Sequence, residues 1–283
     1  ERRWIMRFAR VGDPGAEIPV VAASDGTWRD LSLLTLDLDG AFLAAGFDGL
    51  DPDALPAVPE PHRFGPPLAR PGKVVGIGLN YASYAAALGA AHPAAPVVFL
   101  KASSSITGPT DPIRPLRDAT TTDHEVELGV VIGAELREAQ DAESALDAVA
   151  GYVLVDDVTD RERIANSPGP WATGKCADSY TPIGPWLVTP DELGEVDAVP
   201  LRLSVDGETR QDGTTEDMIF DVGSILVSLS QCMTLEPGDL VLTGTPVGTA
   251  VTRPEPRPYL RPGQVVEADG GILGRHRNEV VAR

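Results

Sequence analysis

The sequence predicts a mainly β fold with a few helices (α+β), and three observations carry that expectation. Short runs rich in Val, Ile and Leu recur along the chain, and strand-length β-branched runs favour sheet over helix. Turn residues punctuate them densely, with 29 Gly and 26 Pro in 283 residues. Segments long enough and periodic enough for an amphipathic helix are fewer than the candidate strands, and no internal repeat is present.

Taken in order, residues 1–68 read as a small β-rich N-terminal domain with a proline-rich linker, and residues 69–283 as the larger domain. In the first, apolar runs at Trp4–Phe8 and Val20–Ala22 are separated by Asp13-Pro14-Gly15 and Asp25-Gly26, and Ala41–Ala45 suits a short helix. Residues 51–72 carry Pro52, Pro56, Pro59, Pro61, Pro66, Pro67 and Pro71, which suits a linker or an extended wrapping arm. Beyond them, Val74–Leu79 and Val97–Leu100 read as strands, flanking an alanine-rich Tyr81–Ala91 that suits a short helix or a lid. A helix is expected over Asp141–Ala150, then a strand over Gly151–Val155. Leu201–Val205 and a following strand flank the turn Asp206-Gly207. Asp217–Leu229 fits an amphipathic helix, and Leu240–Thr243 a strand running into Thr245-Pro246.

Composition excludes several classes. A net charge of −19 argues against nucleic acid and anionic membrane surfaces as partners. It leaves an anionic small metabolite open, because a bound cation reverses the local field. Cys176 and Cys232 are the only cysteines and no spaced Cys/His cluster exists, so neither zinc nor a disulfide framework is expected. With no basic-then-apolar leader and no apolar run of membrane length, the expected location is the cytoplasm. Of 23 Lys and Arg, three are lysines, at 73, 101 and 175. Lysine where arginine is the habit marks positions that prefer a compact, titratable ammonium.

The chemistry concentrates in Asp123-His124-Glu125-Val126-Glu127-Leu128 and in Asp156-Asp157 at the end of a strand. Residues two apart on a strand share a face, so Glu125 and Glu127 project side by side while Val126 and Leu128 face the core. A solvated strand face has the same spacing. The alternative is a cation: like charges this close repel unless a cation or proton lies between them. If the two strands are neighbours, three carboxylates converge on one hard ion, and all-oxygen ligation suits Mg²⁺ or Mn²⁺, with Ca²⁺ possible, and not zinc. His124 points away from that face by parity and is expected to be structural. Gly76-Ile77-Gly78 is a fragment of a dinucleotide fingerprint without the rest, and neither a P-loop nor a Gly-x-Ser-x-Gly elbow is found.

Seven stretches in order resemble the fumarylacetoacetate hydrolase family: KVVGIGLNY from Lys73, VVFLK from Val97, DHEVELGVVIG from Asp123, GYVLVDDVTDR from Gly151, WATGKCADSYTPIGPWLV from Trp171, RQDGTTEDMIF from Arg210 and LEPGDLVLTGTPVG from Leu235. The resemblance implies a mixed β-sandwich or barrel-like roll, a homodimer, and an enzyme that stabilises an enolate of a 2-oxo acid or β-dicarbonyl substrate by C–C hydrolysis, decarboxylation or isomerisation. It implies Glu125, Glu127 and Asp157 as metal ligands, Asp157 because Val158, Thr159 and Arg161 follow it in the family's pattern. It implies Lys175 and Arg161 at the substrate, Lys101 near the same cleft, and Thr245 donating to substrate through its hydroxyl and amide. The chain departs from the family where a His and a Glu usually activate water: Tyr84 and Ala87 stand there, and Ile164 replaces a Gln. That loss points away from hydrolysis, toward a non-hydrolytic enzyme of specialised metabolism, and leaves a silent metabolite-binding homologue as the competing class.

Overall fold

The computed structural model describes residues 5–167 and 171–282. The strands of its two larger sheets are β1 (Arg7–Val11), β2 (Ile18–Ala22), β3 (Trp28–Asp30), β4 (Val74–Gly78), β5 (Val97–Lys101), β6 (Val126–Ile132), β7 (Val149–Asp156), β8 (Leu187–Val188), β9 (Pro200–Val205), β10 (Glu208–Thr214), β11 (Leu240–Leu242), β12 (Val265–Asp269) and β13 (Arg275–Glu279). Nine of them form one sheet in the order β3-β2-β1-β8-β7-β6-β11-β4-β5, and β10-β9-β12-β13 form a second. The mainly β expectation holds. Trp4 lies outside the described residues, and the strand expected from it runs over Arg7–Val11.

The central strands explain why their sequence is apolar at every position but the acids. On β6, Val126, Leu128, Val130 and Ile132 enter one core with Leu154 of β7 and with Leu201, Leu203, Val266 and Ala268 of the second sheet. The intervening Val131 enters a second core with Val153, Val155, Phe8, Val21 and Leu187. Both faces are covered, which is the setting in which a strand loses its polar alternation. Each fully buried Val or Leu contributes about 1.5–3 kcal/mol. The N-terminal strands join this sheet directly, β1 pairing antiparallel with β8. The proline-rich segment is fastened by Arg63, which bonds Glu17 at 2.9 Å and Asp111 at 2.7 Å.

The helices are short: α1 (Gly40–Ala45), α2 (Ala82–Ala87), α3 (Ala142–Leu146), α4 (Arg161–Ala165), α5 (Ala172–Lys175), α6 (Pro190–Leu193) and α7 (Val222–Ser230). Three expected spans are corrected. The first alanine-rich helix stops at Ala87, before Gly89 at φ +65°. The next, expected to reach Ala150, ends at Leu146, because Val149 already pairs with Ile132 in the sheet. The helix expected from Asp217 begins at Val222, where Asp221 caps the Ser224 amide. Among the described residues, no helix is long and apolar enough to cross a membrane.

His276, buried on β13, hydrogen-bonds the Gly184 carbonyl at 2.9 Å. Burial lowers its pKa to about 4 from 6.5. The unfolded chain therefore binds more protons between these values, and stability falls as pH drops from 6.5 toward 4. The expected loss is about 3 kcal/mol at one pKa unit per 1.36 kcal/mol. Unfolding curves across that range should flatten in His276→Gln relative to the native chain.

Candidate metal and substrate site

Register builds the acidic cluster. Glu127 pairs with Val155 across the two central strands, so they share a face. Two residues on, Asp157 comes to that face beside Glu125, and its amide donates to the Glu125 carbonyl at 2.8 Å. Asp156 is one residue out of phase and turns to the other face, where it accepts the Glu125 amide at 2.8 Å. Strand parity alone therefore selects Asp157 over Asp156. Glu125, Glu127 and Asp157 each offer an oxygen, all within 4.8 Å of one another, and all three are buried. A solvated strand face is thereby excluded.

The cations are distributed unevenly. Arg161, whose helix α4 is capped by Asp160, reaches Asp123 at 2.9 Å and Glu125 at 2.6 Å. Lys175, at the end of α5, bonds Glu125 at 2.6 Å and Thr159 at 2.8 Å and contacts Asp157. Lys101 contacts the other oxygen of Asp157 and donates to the Tyr180 carbonyl at 2.9 Å. Burial alone would raise Glu125, but Arg161 and Lys175 pull it down to about 2. Burial likewise opposes Lys175, yet Asp157 and Glu125 hold its ammonium above the usual range.

Glu127 is different. Its carboxylate accepts the Gly244 amide at 2.8 Å, and among the described residues no Lys or Arg forms an ion pair with it. Burial, then Asp157 and Glu125, push its pKa well above the usual carboxylate value. Five buried acids (Asp123, Glu125, Glu127, Asp156, Asp157) thus share three cations (Lys101, Arg161, Lys175). A buried carboxylate without a partner is costly unless a cation or a proton completes it. The all-oxygen set and the uncompensated Glu127 fit a hard divalent ion bound by Glu125, Glu127 and Asp157.

These groups floor a cavity of about 300 Å³. Its walls are apolar and include Ile77, Leu79, Leu88, Phe99, Ile164 and Trp171. Tyr84, on α2, faces it as well, and burial raises its phenol to about 12. Ala87 is exposed and does not line it.

The structure adds detail to two expectations. Thr245 borders the cavity, and its hydroxyl donates to the Val126 carbonyl at 2.9 Å and accepts from Gln211 at 2.8 Å, which leaves the backbone amide as the group that could serve a substrate. Lys101 stands behind Asp157 with a fully buried side chain and does not line the cavity. Its contact orients Asp157, which does line it.

Sequence reasoning passed over two features. Gln211 uses its whole side chain on this floor: its oxygen accepts from His124 at 3.0 Å and from the Val126 amide at 3.1 Å, and its nitrogen donates to Thr245 and the Pro246 carbonyl. It replaces the missing neighbour strand where β6 outruns β11. The Gly76-Ile77-Gly78 fragment is a packing device, since a Cβ at Gly76 would lie 2.1 Å from the Phe99 ring and one at Gly78 2.4 Å from Trp171. A glycine repeat on a strand facing an aromatic segment was the available signal.

The model for the family described as Fumarylacetoacetate (FAA) hydrolase C-terminal matches residues 73–281. The chain belongs to the fumarylacetoacetate hydrolase family. A Burkholderia multivorans protein named "Putative hydrolase" is 47% identical over 274 residues, covering 95% of this chain and 96% of the relative. The fumarylacetoacetate hydrolase of psychrophilic Exiguobacterium antarcticum superposes with a TM-score of 0.87 at 34% identity, covering 98% of this chain and 100% of that one. A Mycobacterium abscessus structure described as a probable 2-hydroxyhepta-2,4-diene-1,7-dioate isomerase has a TM-score of 0.83 at 30% identity, with 99% of each chain covered. The family thus spans hydrolase and isomerase names on one fold, so the family membership of this chain does not itself select a reaction.

Proposed function

We propose that this chain is a divalent-cation-dependent enzyme that stabilises the enolate of a 2-oxo acid or β-dicarbonyl substrate, by a reaction that does not need activated water: decarboxylation, keto–enol tautomerisation or double-bond isomerisation. The observation that carries this is the buried triad of Glu125, Glu127 and Asp157, in which Glu127 forms no ion pair with a Lys or Arg among the described residues. A bound Mg²⁺ or Mn²⁺ would supply Lewis-acid polarisation of two chelating substrate oxygens.

The chain's own groups do the rest. Lys175, held protonated by Asp157 and Glu125, presents positive charge at the cavity floor where negative charge grows on the substrate. Arg161 keeps Glu125 ionised and in place. Tyr84 stays a neutral phenol at ordinary pH, so it can donate a proton but cannot act as the base that activates water. The apolar walls exclude bulk water from the floor. Tyr84→Phe is expected to lower kcat by about 10²-fold with little change in KM, the usual cost of losing a proton donor. Steady-state kinetics at saturating Mg²⁺ check this.

A mass-resolved product assay with oxaloacetate and a simple acylpyruvate, run with Mg²⁺ and with chelator, tests the whole reading. Metal-dependent loss of CO₂ supports it, cleavage of the acylpyruvate moves the assignment to hydrolysis, and metal binding without turnover on any candidate substrate favours a silent metabolite-binding homologue. A homodimer is part of the same proposal. Val98 and Leu100 on the edge strand β5 are 40% and 53% exposed, which favours a covered edge, and sedimentation would measure it.

A further inference from the structure

The cavity also carries information about the far end of the substrate. We infer that it selects substrates whose chelating head bears an uncharged apolar tail, alkyl or aryl, and rejects those whose tail ends in a second carboxylate. This inference rests on the enolate reading above for the head of the substrate and extends it to the tail.

The polarity of the cavity is confined to one end. Among the described lining residues, the only cations are Arg161 and Lys175, and both are engaged by carboxylates of the floor. Residues 168–170, next to Trp171, are Pro-Gly-Pro and bring no charged side chain. A tail carboxylate would therefore be desolvated among Leu79, Leu88, Phe99, Ile164 and Trp171 with no counter-ion among the described residues.

The apolar wall is built rather than incidental. Phe99 and Trp171 pack with ring centroids 5.4 Å apart, and the Lys175 ammonium lies 4.8 Å from the Phe99 centroid. Both rings sit where strand β4 has glycine, because any Cβ at Gly76 or Gly78 would collide with them. Leu88 borders the mouth and is 41% exposed, apolar area that a tail would cover. Ile164 follows Arg161 by one helical turn on α4 and lies against Gly174, whose absent side chain gives it room. At about 300 Å³ the space is at the small end of ligand pockets, so the tail is short.

The test uses the full chain with Mg²⁺ and N-substituted oxamates, unreactive compounds that keep the chelating head. Calorimetry would compare unsubstituted oxamate with two oxamates of equal tail length, one ending in methyl and one in carboxylate. Each methylene buried should tighten binding by roughly threefold to fourfold. The methyl-ended ligand should exceed the carboxylate-ended one by at least about tenfold, given the cost of an unpaired buried charge. Ile164→Arg should reverse that preference, and Leu88→Ala, at an exposed position, should reduce the gain from the alkyl tail. If oxamate and oxalate both fail to bind with Mg²⁺, the metal-chelate reading falls and the tail inference with it. If the head binds but the carboxylate tail matches or beats the alkyl tail, the inference is overturned while the metal-chelate reading stands.

Discussion

Glu127→Gln is expected to remove metal-dependent turnover and, in chelator, to make the chain more stable at neutral pH than the native protein. The two effects have one cause. Glu127 is buried with Asp157 and Glu125 close by, and only the nearby Lys175 charge, which makes no ion pair with it, and a hydrogen bond from the Gly244 amide act in its favour. Its pKa is raised in the folded state, so the folded chain holds a proton that the unfolded chain has released. Stability from this group is therefore lost as pH rises above its ordinary value of 4.5. Glutamine keeps the acceptor for Gly244 and carries no charge to desolvate. Melting temperature against pH in chelator should show the two proteins alike in acid and the variant increasingly ahead above that value. Activity should fall by at least roughly 10²–10³-fold, the scale of removing one electrostatic contributor at a reacting centre. Glu127→Ala should lose activity equally while leaving the Gly244 amide unpaired. Turnover surviving in either variant would remove Glu127 from the site.

Lys175→Met is expected to have the same effect on activity and the opposite effect on stability. Its ammonium bonds Glu125 and Thr159 and contacts Asp157 in a fully buried setting. Removing one partner of a buried ionic network typically costs about 3–5 kcal/mol, because the remaining charges are left without compensation. Arg161 on Glu125 and Lys101 on Asp157 would remain. A divalent ion should then stabilise the variant by more than it stabilises the native chain, since it would take over part of the lost compensation. Denaturant unfolding with chelator and with Mg²⁺, beside kcat, measures both signs. A purely structural lysine would lower stability and leave the turnover of the folded fraction intact.

Much of this site is legible in the sequence. The pair Glu125 and Glu127 could be placed on one strand face because side-chain alternation is a local property of extended backbone. The rare lysines pointed the right way: Lys101 and Lys175 both meet Asp157, on opposite oxygens. Spacing could not decide between Asp156 and Asp157, and the family's pattern could. Register now gives an independent reason, since Glu127 faces Val155 and Asp157 follows it by two. The engagement of the Thr245 hydroxyl is not legible in the sequence, because nothing local announces that Gln211, 34 residues away, and the Val126 carbonyl consume it.

By itself, then, the sequence determined the mainly β class, the family and the acidic strand face, all of which follow from period, composition and short motifs. Only the tertiary structure decided that this face is interior, that Glu127 alone among the three acids forms no ion pair among the described residues, and that the cavity above them is apolar. The physical reason is that burial and charge compensation arise between segments far apart in the chain. Glu127 meets Asp157 and Gly244 through strand pairing, and Phe99 meets Trp171 over two glycines of a neighbouring strand. Local sequence sets which groups a strand presents, and long-range packing sets the dielectric and the partners they find.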